Sequence, residues 1–129
     1  MMYKQLINYI MITIINDMPE PILGIIMTGE ITKEDYDRLN PILEDFERKH
    51  DTFKFYAEMH DFKWSSAKAM WEDLKTDIKH LGNIHTAAIV TDKKWIENIT
   101  DTASVIPNLT AKGFDMDERE QAMEWIKTA

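Results

Sequence analysis

Trp71-Glu72-Asp73-Leu74-Lys75, its continuation to Leu81, the break Gly82-Asn83, the run Ile84-His85-Thr86-Ala87-Ala88-Ile89-Val90 and the close Thr91-Asp92-Lys93-Lys94-Trp95 decide the fold. Upstream of the break, Ala67, Met70 or Trp71, Leu74, Ile78 and Leu81 fall at helical spacing, and Ser65 or Ser66 stands where a helix cap belongs. Gly82-Asn83 stops that helix. The unbroken Ala87-Ala88-Ile89-Val90 reads as a strand buried on both faces, in the interior of a sheet. Helix, turn, buried strand and polar strand-end loop in one short piece predict an alternating α/β domain.

Toward the N-terminus, Phe53 to Met59 is a strand, and Asp61 to Ser66 is its exit loop. Before it, Thr32-Lys33-Glu34-Asp35 opens a helix with an apolar stripe of Tyr36, Leu39, Ile42, Leu43 and Phe46; Pro41 predicts a kink or local break inside it. Met11 to Ile15 and Ile22 to Thr28 are strands joined by the turn cluster Asn16 to Pro21, which predicts an antiparallel hairpin. Toward the C-terminus, Asp92 to about Ala103 predicts a short helix and Leu109 to Phe114 a last strand. Asp115-Met116-Asp117-Glu118 is a capping box for a final helix packed through Ala122, Met123 and Ile126. The order is β-β-α-β-α-β-α-β-α: one α/β domain over residues 1–129, a mixed five-stranded sheet with covering helices and right-handed parallel crossovers.

The 129 residues fit one core, and 44% hydrophobic with 29% charged is an ordinary globular composition. The absence of cysteine excludes disulfides, thiolate metal sites and cysteine nucleophiles. A formal net charge of -8, from 23 acidic against 15 basic residues, argues against nucleic acid and anionic membranes as partners. The apolar run Tyr9 to Ile15 is far shorter than the roughly 20 residues of a membrane span, and it lacks a signal-peptide cleavage pattern. The chain is therefore expected in the cytoplasm, with peripheral membrane contact as the variant.

Gly29-Glu30-Ile31-Thr32-Lys33-Glu34-Asp35-Tyr36, Pro41-Ile42-Leu43, Trp71 to Lys75, Ala88 to Trp95, Phe114, Ala122 and Trp125 together resemble the SpoIIAA-like family of small bacterial proteins, related in fold to the STAS domains of anti-sigma-factor antagonists. The resemblance covers nearly all of the chain after Met11 and rests on core and capping positions. It implies a non-catalytic domain. STAS domains dock on partner proteins, and some are switched by phosphorylation in the loop after the third strand. That loop carries an Asp-Ser-Ser-Gly-like sequence in the antagonists; here Asp61 to Lys68 supplies Ser65 and Ser66 without the flanking Asp and Gly. The broad architecture also resembles the CRAL-TRIO lipid-carrier fold.

The candidate chemistry is sparse. Ser65 and Ser66 read first as helix caps and second as phosphorylation sites, since a helix N-terminus also welcomes a phosphate. Glu58, His60 and Asp61 are the single acid/imidazole cluster. Glu58 and His60 share a strand face, but spacing supplies no third metal ligand, so they read as strand-end polar residues. Thr91 and Asp92 stand at the C-terminal end of a buried strand, where open α/β sheets bind ligands, or cap the next helix. With four glycines and no nucleophile elbow or HExxH, neither a phosphate cradle nor a metal-hydrolase motif is present, and no cofactor is expected. Trp64, Trp71, Trp95, Ile96, Ile99, Val105 and Ile106, with nine methionines in the chain, are either core or the lining of an apolar pocket under a movable flap. The expectation is a non-enzymatic regulatory domain that docks on a protein partner. The alternative is a carrier or sensor of a lipid-like ligand. A homo-oligomer remains open.

Overall fold

Five strands hydrogen-bond side by side in sequence order. The computed structural model describes residues 12–28, 33–60, 83–92, 106 and 108–129. The β-branched Ile12–Ile14 forms β1, which pairs antiparallel with β2, Ile22–Thr28, as the short turn between them demands. β2 pairs in parallel with β3, Phe53–His60; β3 with β4, Ile84–Thr91; and β4 with β5, Thr110–Asp115. Parallel neighbours need crossovers of a dozen or more residues, and residues 61–83 and 92–109 supply the chain for two of them. The helices expected at 66–81 and 92–103 fall outside the described residues. The mixed sheet is as expected, and each strand end differs from the sequence reading by no more than a residue.

Alternation along the strands divides the core into two layers. Leu23, Ile25 and Met27 of β2, Phe55, Ala57 and Met59 of β3, and Ala87 and Ile89 of β4 face one side. There they meet Leu39 and Leu43 of helix α1, Lys33–Lys49, with Ile42 and Phe46 partly buried beside them. Ile22, Tyr56, Ala88, Val90 and Phe114 face the other side and meet Ala122 and Ile126 of helix α2, Arg119–Thr128. β4 is paired on both edges, and Ala87 to Val90 are buried, so its unbroken apolar run reflects an interior position.

Of the kink or local break expected at Pro41, the break does not occur, because α1 is one helix through that position. Pro41 is exposed, while Leu39, Ile42, Leu43 and Phe46 hold both halves of the helix on the sheet. Burial at about 1.5–3 kcal/mol per large apolar side chain outweighs the backbone hydrogen bond that proline removes. The start expected at Thr32 and the side chain of Tyr36 lie outside the described residues.

The α2 layer is thin, so single contacts there weigh heavily. Ile126→Ala is expected to lower stability by about 2–5 kcal/mol, read as a drop in the urea midpoint at unchanged slope, whereas Glu120→Ala, on the exposed side of the same helix, leaves the midpoint nearly unmoved.

Candidate functional site

The alternation that puts Phe53, Phe55, Ala57 and Met59 under α1 sends Lys54, Tyr56, Glu58 and His60 to the α2 side. Glu58 therefore stands near the C-terminal end of the middle strand, between Ile26 of β2 and Val90 of β4. The residue is only 7% exposed. A carboxylate so placed must be paired or protonated.

It is paired three ways. Tyr56 Oη donates to Glu58 Oε2 at 2.6 Å. His60 Nε2 lies 2.9 Å from Glu58 Oε1; an ionised carboxylate only accepts, so this nitrogen carries the proton and donates. Arg119 Nη1 stands 3.6 Å from the same Oε1. Burial pushes the Glu58 carboxyl upward, but the hydrogen bonds from Tyr56 and His60 and the charges of Arg119 and His60 outweigh it and hold the group below the usual carboxylate range. Tyr56 shifts the opposite way. Burial, then its hydrogen bond to an anion, raises the phenol well above its ordinary value, so the hydroxyl stays a donor.

The same face ties α2 down at both ends. Arg119 is the first residue of the helix, where a cation opposes the helix dipole, and its partner Glu58 offsets that. At the other end, Lys54 Nζ donates to the Ile126 carbonyl at 3.0 Å, satisfying one of the acceptors that a helix C-terminus leaves open. Since Lys54 and Glu58 belong to one strand, α2 runs antiparallel to β3. The link from β5 is a tight one: Asp115 N–H donates to Glu118 Oε1 at 2.9 Å within the expected capping box, which opens a 3-10 turn, Met116–Glu118, directly before α2.

So fixed, α2 lays Trp125 against Phe114 of β5, with ring centroids 5.9 Å apart and planes inclined by 53°. Lys112 Nζ sits 5.2 Å from the Phe114 centroid and 5.9 Å from that of Trp125. Between β5 and α2 lies a groove of about 590 Å³, floored by Phe114 and Trp125 and edged by Lys112, Glu118, Glu120 and Glu124. A second, smaller cavity of about 180 Å³ lies between β1 and α1, lined by Ile12, Ile14, Leu39, Ile42 and Arg38.

Glu58 and His60 share a face near the end of β3, and Glu58 is buried there. Arg119 was not visible as their partner, because nothing in the local pattern ties residue 119 to residue 58. Tyr56 follows from strict alternation two residues before Glu58. Thr91 is buried at the end of β4 opposite Asp115, and Asp92 is exposed just beyond it. Ile106 is buried in the core layer under α1. Ser65, Ser66, Trp64, Trp71, Trp95, Ile96, Ile99 and Val105 lie outside the described residues. Among the described residues no group of three or more His, Asp or Glu side chains is placed to hold a metal.

A mixed five-stranded sheet with a helix on each face, and its polar cluster at the C-terminal strand ends, is a STAS-type α/β architecture. The chain belongs to the SpoIIAA-like family, whose model matches residues 22–127, spanning β2, the Glu58 cluster and nearly all of α2. A crystal structure of a DUF3478-family protein with a SpoIIAA-like fold, from Shewanella loihica PV-4, is similar at a TM-score of 0.64 and 24% identity, over 89% of this chain and 93% of that one. At that identity the likeness is one of fold. No curated protein matches in sequence.

The pairing of Glu58 makes stability depend on pH with a definite sign. Its folded value lies below its unfolded one, so its contribution is present above the ordinary carboxylate range and is lost as pH falls through the folded value. Glu58→Gln is expected to cost about 1.5–3 kcal/mol at neutral pH and much less at acid pH, where the native carboxyl is also neutral. Paired urea titrations of the two proteins at both pH values measure this.

Proposed function

We propose that this chain is a non-enzymatic interaction domain that docks on a protein partner through the flank formed by β5 and α2. The observation that carries the reading is the open groove over Phe114 and Trp125. Interfaces take much of their binding energy from aromatic anchors set among polar rims, and Trp125 beside Phe114, edged by Lys112 and three glutamates, has that composition. β5 pairs with β4 along one edge, and among the described residues no strand pairs with its other edge, where an extended segment would add as a further strand. Family membership supports the same reading, since STAS-type domains work by docking.

The lipid-carrier reading has one observation of its own, the apolar cavity between β1 and α1 with Arg38 beside it. At about 180 Å³ it falls below the roughly 300–1,000 Å³ of ordinary ligand sites. No helix among the described residues is long and apolar enough to cross a membrane. The groove is the stronger basis.

Lys112 at the groove edge is a convenient handle for an amine-reactive cross-linker. In cells of the native host, cross-links from Lys112 to a recurring partner are expected. They should disappear in Gln121→Arg, which fills the groove from an exposed helix position without touching the core. The same partner captured equally by Gln121→Arg and native protein would overturn docking at this flank. Native mass spectrometry showing a stoichiometric bound lipid would favour the carrier instead.

A further inference from the structure

The groove carries within it a sign of what it binds. Lys112 Nζ lies within about 6 Å of two aromatic ring centroids, the range over which a cation is attracted to a ring face. Phe114 and Trp125 meet at an angle, so their faces converge on one point, and an ammonium already occupies it. The charge around that point is mostly negative. Glu120 and Glu124 stand one helical turn apart on the exposed side of α2, a like-charge spacing that costs an isolated helix a few tenths of a kcal/mol. Neither pairs with a cation among the described residues. Glu118 adds a third carboxylate, with Oε1 turned to the Asp115 N–H. Among the residues lining the groove, one cation faces these three, Lys112, which is exposed on the edge strand.

We propose that the groove accepts an extended basic segment of a protein partner, with a lysine or arginine head taking the place of the Lys112 ammonium over Phe114 and Trp125 and answering Glu120 and Glu124. The proposal rests on the docking reading and names the chemistry of its partner. Three observations select a basic occupant over an acidic or purely apolar one. The ring faces converge where a cation sits; two neighbouring carboxylates have no described counter-ion; and the chain as a whole carries -8. Lys112 is then an internal competitor. It shields the ring faces while the groove is empty and guards the edge strand against unspecific pairing, as lysines on sheet edges do. A basic ligand must displace it, so removing it helps such a ligand. An acidic ligand would use it, so removing it would do harm. The two classes of partner therefore predict opposite effects for one substitution.

The test uses the full chain, labelled with nitrogen-15 and titrated with a capped peptide of alternating lysine and valine, and with its glutamate counterpart. The lysine peptide is expected to shift amide signals of β5 and α2 in a saturable way, more weakly as salt rises. Lys112→Ser should bind it about threefold more tightly than the native chain. The double variant Glu120→Gln with Glu124→Gln should bind it about three- to tenfold more weakly, the range for losing two exposed charge contacts. All three substituted positions are exposed, so the fold survives and unshifted core signals report it. No saturable shift at the groove from the lysine peptide overturns the proposal. So does a glutamate peptide whose binding is lost in Lys112→Ser. If either happens while Gln121→Arg still abolishes cross-linking of the native partner, docking at this flank stands and only the basic character of the partner falls. If the peptide pattern holds while that cross-linking is unaffected, the docking reading fails on its own.

Discussion

A carboxylate on the central strand of a mixed sheet is the constraint around which this molecule is arranged. Glu58 sits on the central strand with strands on both sides, where an unpaired charge would be costly. Its pairing draws a donor from its own strand on either side, Tyr56 and His60, and a third from far along the chain, Arg119. The first two come with the strand at no topological expense, since positions two apart share a face. The third fixes the terminal helix. With Lys54 holding the Ile126 carbonyl, the helix is attached to β3 at both ends, and its orientation on the sheet is set.

The attachment matters because α2 is short. Ten residues are too few to hold a helix in water without tertiary contacts. Its buried face amounts to Ala122 and Ile126, with Met123 and Trp125 partly covered. That is a modest apolar contribution, so the polar ties carry a larger share of positioning here than they do for α1. Helix α1 shows the contrast. Its long stripe of Leu39, Ile42, Leu43 and Phe46 holds it on the sheet even with a proline in its interior.

The mixed five-stranded sheet, the hairpin and the interior position of β4 were legible in the sequence because strands declare themselves locally. Ala87 to Val90 has no polar alternation, and Asn16 to Pro21 leaves no room for a crossover. Pro41 misled because local propensity says nothing about how much apolar surface lies on either side of a break. The candidate site was half legible. Glu58 and His60 are two residues apart, so the period of a strand joins them. Arg119 is joined to them only by the fold. The groove was less visible still: Phe114 and Trp125 stood out as pattern residues of the family, but their convergence depends on the angle at which α2 lies, which no periodicity encodes. Trp64, Trp71, Trp95, Ile96, Ile99 and Val105, singled out for a pocket, lie outside the described residues.

Buried anchor and open groove are two sides of one element. Toward the sheet, α2 presents Arg119 and the Ile126 carbonyl to β3; toward solvent, it presents Glu120, Glu124 and the ring of Trp125. The ring reaches Phe114 only while the helix lies at its fixed angle, and the turn at Asp115–Glu118 leaves little slack to change it. A shift of the helix by even a fraction of a turn would separate the two aromatic faces and scatter the carboxylates around them. The division of labour follows from burial: charge that must be satisfied is satisfied inside, where it orients the helix, and charge left over is placed outside, where water solvates it.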